Sequence, residues 1–244
     1  MALPKITQPE FEITLPVIKR KIKFRPFLVR EEKVLLVGKE GAAGEQLNAM
    51  INLVEDVVLS PKNFNARDLT ATDLEYLFMH LRAKSVNNIV KLKYQDKEDE
   101  SVYDFEVDLN TLEPTIDPDR EYTLDIGDYK VELKDPTIGI MEKVGMGLEG
   151  LDPNQNPEDV SPEQVDTVFG LLAHCLIKVY DNEQVYDDFT IDEAKEWFSA
   201  IDVKSFESIQ TFFESGPKLE HKLEYVNKKG NNRTITLRGI QDFF

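Results

Sequence analysis

The sequence predicts an α+β fold: a helical core with an N-terminal hairpin, an acidic β-rich insertion at about 89–134 and a C-terminal β hairpin. Three observations carry that expectation. Apolar residues recur at helical spacing over 45–59, after Thr72 and again from Ser161 onward. They alternate at a period of two near both ends and through the middle, which is the half-buried strand pattern. Glycine, proline, asparagine and aspartate then punctuate the alternating stretches, as turns require.

Taken in order, Phe11 to Leu15 and Ile22 to Phe24 alternate and form the first hairpin, ending at Pro26. Leu28 to Val37 is dense in helix formers, with Gly38 and Gly41 to stop it. Residues 45–59 place Leu47, Met50, Ile51, Val54 and Val58 on one helical face, and Pro61 ends the run. Thr72-Asp73-Leu74-Glu75 reads as a capping box opening a helix with Leu74, Leu77, Phe78, Leu81 and Ser85 on one face. Short strands follow at Ile89 to Tyr94, Val102 to Leu109, Tyr122 to Ile126 and Tyr129 to Leu133, with a tight turn at Gly127-Asp128. Pro136 opens a short helical stretch to about Leu148, and 152–157 is a loop by composition.

Ser161, Pro162 and Gln164 supply a cap, a first-turn proline and a capping box for a stripe running from Val165 to Val179. Thr190 with Glu193 starts another helix and Asp202 a third, closed by Gly216-Pro217. Leu219 to Val226 and Arg233 to Leu237 make the final hairpin. The expected division is 1–88, 89–134 and 135–244, forming one or two compact domains.

Composition bounds function only loosely. At 244 residues and 41% hydrophobic content the chain is long and apolar enough to bury a core. Its 46 acids against 29 bases give −17, which opposes binding to nucleic acid or to an anionic membrane. No apolar run exceeds the four residues Val34 to Val37, so neither a membrane span nor a secretion signal is expected. Cys175 is the single cysteine, which precludes an intrachain disulfide.

The charge is segregated. Residues 17–30 carry six bases and no acid, 95–128 carry thirteen acids against Lys97 and Arg120, and 181–196 carry seven acids with Lys195 alone. The stretch 216–238 is basic again, with Lys218, Lys222, Lys228, Lys229, Arg233 and Arg238. These runs are either solvated faces or complementary patches, whose basic ends meet acidic surface on this chain or on a neighbour.

Chemical motifs mostly fail on context. Gly145 to Gly150 matches G-x-G-x-x-G but follows a helical stretch instead of a strand, so helix-stopping glycines explain it better than a dinucleotide. Asp117, Asp119, Glu121 and Asp128 fit calcium-loop spacing, yet Tyr122 stands where the loop's turn needs glycine. His80, His174 and His221 are far apart, with His80 and His174 both off the apolar stripes of their helices. Adjacent His174 and Cys175 point about 100° apart on a helix, which defeats a nucleophilic pair. No catalytic residue, metal ligand or cofactor site is assigned.

Two stretches are distinctive as strings. One runs from Leu3-Pro4-Lys5-Ile6 through Pro9 to Pro16 and Lys21-Ile22-Lys23-Phe24-Arg25-Pro26-Phe27-Leu28-Val29-Arg30-Glu31-Glu32-Lys33, followed by Asp73 to Phe78 and Leu81 to Val86. The other is Phe212-Phe213-Glu214-Ser215-Gly216-Pro217-Lys218-Leu219 with His221, ending in Leu237 to Phe244. Together they resemble the baseplate hub proteins of T-even-type contractile-tailed bacteriophages, over nearly the whole chain.

The resemblance implies a virus-encoded, non-enzymatic protein needed to build the hub, either a hub subunit or a hub assembly factor, whose partners are other tail or baseplate hub proteins. It implies a place in the tail baseplate, or in the host cytoplasm during assembly. Some relatives carry Cys-x-x-Cys pairs in the middle strands and the final hairpin. The matching places here, around Tyr94/Lys97 and Val226/Lys229, hold no cysteine, so a zinc-ribbon role is not carried over.

Arg25-Pro26-Phe27 is either a structural turn or an exposed partner anchor, and Phe243-Phe244 either packs on the core or inserts into a neighbour. These five are the candidate interface residues. The alternatives are a chaperone for another tail protein such as the tape measure, and a divalent-metal hydrolase using the acidic insertion.

Overall fold

The computed structural model describes residues 6–32, 43–146 and 161–243. The chain forms two compact units, one from residues 1–66, 72–115 and 218–244, the other from 67–71 and 116–217. In chain order the first elements are β1 (Phe11–Thr14), β2 (Lys21–Phe24), α1 (Ala43–Val57), β3 (Val58–Ser60) and α2 (Ala71–Ser85). Next come β4 (Ile89–Gln95), β5 (Val102–Asp108), β6 (Thr123–Ile126), β7 (Tyr129–Leu133) and α3 (Ile138–Lys143). The last are α4 (Pro162–Cys175), β8 (Leu176–Tyr180), β9 (Val185–Tyr186), α5 (Ile191–Ser199), α6 (Val203–Glu214), β10 (Glu220–Val226) and β11 (Asn232–Arg238). This is the expected α+β class.

Among the described residues the first unit holds three sheets. β1 and β2 pair antiparallel with Phe11 opposite Phe24 and Ile13 opposite Ile22. β3 adds to β2, with Ser60 opposite Lys23. That strand corrects the helix expected to continue to 59: α1 stops at Val57, whose carbonyl accepts from the Arg25 amide at 3.1 Å. Pairing with β2 takes over the backbone groups that a further helical turn would have satisfied internally. Residues 29–32 are helical, while 33–37, Gly38 and Gly41 lie outside the described residues.

α2 also differs from its expected start. It begins at Ala71, so Thr72 and Glu75 sit inside the helix and not at cap positions. Asp73, fully buried, accepts from the amides of Val17 and Ile18 at 2.9 and 3.0 Å, and so fixes the β1–β2 connection. His80 proves buried, 4.4 Å from the Tyr76 ring, because α2 buries more than one face: Tyr76, Met79 and Leu81 are enclosed along with it.

β4–β5 and β10–β11 are two antiparallel hairpins. Their alternation places Val90, Val107, Leu219 and Leu237 in one core cluster with Met79, Leu109, Leu112 and Phe243. Thr115 and Lys218 exchange backbone hydrogen bonds at 2.8 and 3.1 Å where the chain leaves and re-enters this unit.

The second unit is a four-stranded antiparallel sheet in the order β6-β7-β8-β9 covered by helices. Gly127, at φ +57°, makes the tight β6–β7 turn, a conformation glycine adopts without penalty. Ile126, Val131, Leu133 and Val179 from the sheet pack with Leu172, Ala194, Phe198, Ile209 and Phe212 from the helices. The capping boxes at Ser161/Gln164 and Thr190/Glu193 form with both reciprocal bonds, and Asp202 caps α6 through the Ser205 amide.

The stripe read as one helix from Val165 to Val179 divides at Cys175. α4 ends there and β8 begins at Leu176 with ψ 129°. Leu176 to Tyr180 fits either period, and the ladder with β7 decides it. α3 is shorter than the expected stretch to Leu148, and residues 147–160, including Leu148, the 152–157 loop and Gly147 to Gly150, lie outside the described residues. The stretch 89–134 is shared between the units: β4 and β5 belong to the first, β6 and β7 to the second. The apolar faces of β4 and β5 complete a core with the C-terminal hairpin, which sequence distance conceals.

Candidate interaction surfaces

Arg25 lies in a structured turn. Its guanidinium makes a two-pronged ion pair with Glu31, both contacts at 2.9 Å, and donates to the carbonyls of Pro26 and Asp56. That guanidinium holds the Glu31 carboxyl below its usual range. Pro26 is buried, and the Phe27 amide donates to Ser85 Oγ at 3.0 Å. Phe27 keeps part of its surface exposed, and Val29 beside it is 71% exposed. Arg25, Arg30, Glu31 and Asp56 line an open groove of about 410 Å³.

Phe243 is completely buried in the core cluster of the first unit. Burying a phenylalanine contributes about 1.5–3 kcal/mol, so packing within the chain accounts for it. Phe244 lies outside the described residues.

The tips of two hairpins, far apart in sequence, meet in a polar clasp. Asp96, only 2% exposed, accepts from the Tyr225 hydroxyl and from the Glu98 and Asp99 amides. Glu98 accepts from Asn227 at 2.8 Å, Asn231 at 2.9 Å and Arg233 at 2.7 Å. Asp99 takes the Tyr103 hydroxyl and the Lys228 amide, both at 2.7 Å. Beneath them the Tyr225 ring lies 4.6 Å from Tyr103 and 5.6 Å from Phe105.

These contacts set the acidities. The Tyr225 hydroxyl lowers Asp96, and the Asn231 amide lowers Glu98. Burial works against ionised Asp99, but the Tyr103 hydroxyl and backbone amides prevail and bring it to about 2. The clasp joins the regions around Tyr94/Lys97 and Val226/Lys229, and hydrogen bonds and ion pairs hold it.

Sequence reasoning saw the opposite charges of these segments but not their meeting, because nothing local encodes a contact across some 130 residues. At the other end, Lys21 pairs with Glu12 and Lys23 with Glu10. Both basic segments therefore meet acids of their own chain.

A second arrangement that the sequence did not reveal holds the other unit together. Arg120 pairs with Asp135 at 2.8 Å, with the two side chains 5% and 9% exposed. It also donates to the Phe212 carbonyl, and its guanidinium lies 3.9 Å over the Phe212 ring.

Among the described residues no group of three or more His, Cys, Asp or Glu is arranged to hold a metal ion. In the calcium-spaced stretch, Asp117 instead accepts from the Asp119 amide at 3.0 Å, a local turn. Burial pushes the Cys175 thiol up to about 12, which leaves it a small hydrophobe in the core. No described helix is long and apolar enough to cross a membrane.

The acidic run 181–196 is arranged differently. Asp181 accepts from the Glu183 and Gln184 amides and the Tyr186 hydroxyl, and Glu193 completes a capping box. None of its seven acids forms an ion pair among the described residues, and Lys195 is engaged by Asp166 at 2.8 Å. Tyr129 and Tyr186 are 42% and 41% exposed beside it, with Tyr129 edge-on to Trp197 at 6.0 Å.

A family model described as the T4 bacteriophage base plate protein matches residues 8–244. The match covers nearly the whole chain, and the chain belongs to that family of phage baseplate proteins. No curated protein and no solved structure matches it.

Proposed function

We propose that this baseplate protein acts at the hub in the centre of the baseplate, as a hub subunit or as the factor that assembles the hub. It works by protein–protein contacts with other tail and baseplate hub proteins, without catalysis. The observation that carries this reading is the family match over residues 8–244. The strings at the two ends, Lys21 to Lys33 and Phe212 to His221, resemble those of hub proteins and support the hub within the baseplate.

The way the polar residues are used supports a structural role. Arg120, Asp135, Asp96, Glu98 and Arg233 are held in contacts that shape the chain, while aromatic and acidic side chains remain at the surface. The Arg25–Phe27 turn with Val29 is the N-terminal candidate for a partner surface, whereas Phe243 belongs to the core.

Mass spectrometry of purified virions, with electron microscopy of tails made without this chain, tests the reading. A subunit is recovered from particles and its loss leaves tails without baseplates. An assembly factor is missing from particles, yet its loss has the same effect. A chain captured instead on the tape measure is that protein's chaperone, and complete baseplates formed without it overturn the hub reading. Phe27→Ala, at a half-buried position of that turn, asks whether the N-terminal turn takes part.

A further inference from the structure

Among the described residues β9 is the outer strand of the second unit's sheet, and β8 is its one partner there. Val179 stands opposite Tyr186 and Tyr180 opposite Val185, and the Asp181 amide donates to the Gln184 carbonyl at 3.1 Å. Hydrogen-bonded and non-bonded pairs alternate along an antiparallel ladder. The 181/184 pair is bonded, so the 179/186 pair is bonded too, and Val185 is the residue whose N–H and C=O face away from β8. That edge is open: Val185 is 50% exposed, and residues 182–188 are exposed throughout.

Natural edge strands are blunted by lysine, proline, bulges or a covering element. This one has none of the first three within it. It is two residues long and its flanks are acidic on both sides, which opposes pairing with a second copy and favours a basic segment. Glu183 precedes it, Asp187 and Asp188 follow, and Asp192 and Glu196 lie on α5; none has an ion-pair partner among the described residues.

The sheet face adds a third observation. Tyr186 is level with Val179 and Val131 across the ladder, so Tyr186 and Tyr129 share a face two residues apart. Tyr129 in turn meets Trp197. An aromatic rim thus adjoins an unpaired backbone edge ringed by unpaired carboxylates.

We infer that β9 is the docking edge for an extended segment of a baseplate partner with alternating basic and apolar residues, which adds to the sheet as a fifth strand. Backbone pairing at Val185 supplies the attachment, as in other strand-addition complexes. The segment's apolar side chains pack beside Tyr186, the outermost aromatic of that face, and its lysines or arginines face Glu183, Asp187, Asp188, Asp192 and Glu196. Such charge complementarity fixes register and speeds encounter. This inference rests on the baseplate reading and names the chemistry of the partner.

Trp197 is the chain's single tryptophan and meets Tyr129 on the sheet face that Tyr186 shares, so its fluorescence reports on that face. The probe is a short peptide of alternating lysine and valine, titrated into the full-length protein. The expected result is a saturable fluorescence change that weakens with salt. The same peptide with N-methyl groups along its pairing edge should bind at least about tenfold more weakly, since the contact is made through backbone hydrogen bonds. Val185→Pro should weaken binding similarly, and Asp187→Asn with Asp188→Asn should weaken it about threefold to tenfold through lost complementarity.

Equal binding of the N-methylated peptide, or of a glutamate–valine peptide, overturns the proposal. So does self-association of the chain through β9 that excludes the peptide. In infected cells, Asp187→Asn/Asp188→Asn/Val185→Pro should leave tails without complete baseplates. Normal baseplates built with that variant sink the docking edge while leaving the hub reading intact, whereas baseplates formed without the chain at all sink the hub reading.

Discussion

The acidic tip of the β4–β5 hairpin and the acidic run 181–196 have similar composition and opposite use. At the tip, Asp96, Glu98 and Asp99 are surrounded by hydroxyls, amides and the Arg233 guanidinium, and each carboxyl is held below its usual range. In 181–196, Asp187, Asp188 and Asp192 face solvent, and Lys195, the one base of that run, is engaged by Asp166. Net charge cannot separate these situations. Carboxylates with fixed donors position one hairpin against another, whereas carboxylates without them hold charge available to a partner.

The comparison breaks most forcefully at Arg120, the second unit's own example of a committed charge. Arg120→Met leaves Asp135 buried without its cation, and breaking such a pair costs about 3–5 kcal/mol. Urea denaturation followed by Trp197 fluorescence measures the loss. A change comparable to that of a surface substitution would show that the pair does not organise this unit.

Glu75 sharpens the comparison from the opposite direction. It lies against the Gly239 backbone, so close that a Cβ on Gly239 would come within 3.0 Å of its carboxylate. Burial raises it from 4.5 to about 7, against the opposing effect of the Ile240 amide. The folded state therefore favours the protonated acid, and this stability is complete below pH 4.5 and lost as pH rises through about 7. Glu75→Gln should raise the melting temperature above neutral pH and flatten its decline between those limits.

Asp99 has the reverse sign and a smaller span. Its stabilising effect is present above 3.8 and lost as pH falls toward about 2. Asp99→Asn should lower stability at neutral pH and remove that acid-side loss, read by near-ultraviolet circular dichroism of the Tyr103/Tyr225 cluster. The smallest effect belongs to the run without partners: Asp187→Asn with Asp188→Asn should shift stability by no more than ~0.5 kcal/mol. A larger destabilisation would place those acids with the clasp and not with the docking edge.

What the sequence revealed follows the range of each interaction. The boxes at Ser161/Gln164 and Thr190/Glu193, the Asp202 cap and the Gly127 turn depend on neighbours within four residues, and they were readable. Thr72-Asp73-Leu74-Glu75 has the same local string, yet Asp73 is drawn to Val17 and Ile18 and Glu75 to Ile240. The ends of α1 and α4 were missed because a helical stripe and a short strand share apolar positions, and only the partner strand arbitrates. The Arg120–Asp135 pair and the hairpin clasp left no local signal, since their members recur among many other charges. The open edge at β9 was likewise hidden, because it depends on which strand lies beside it.

The two hydrogen bonds between Thr115 and Lys218 also bear on how the protein is made. The first unit's core draws Met79, Val90 and Val107 from early in the chain and Leu219, Leu237 and Phe243 from late in it. Synthesis is vectorial, and domains fold as their residues emerge from the ribosome. Residues 67–217 are synthesised before 218–243, so the first unit's core can close only after the second unit's residues have been made. A chain that lacks Leu219, Leu237 and Phe243 leaves the apolar faces of β4 and β5 without the partners that cover them, so the first unit is only as complete as the later of its two distant segments.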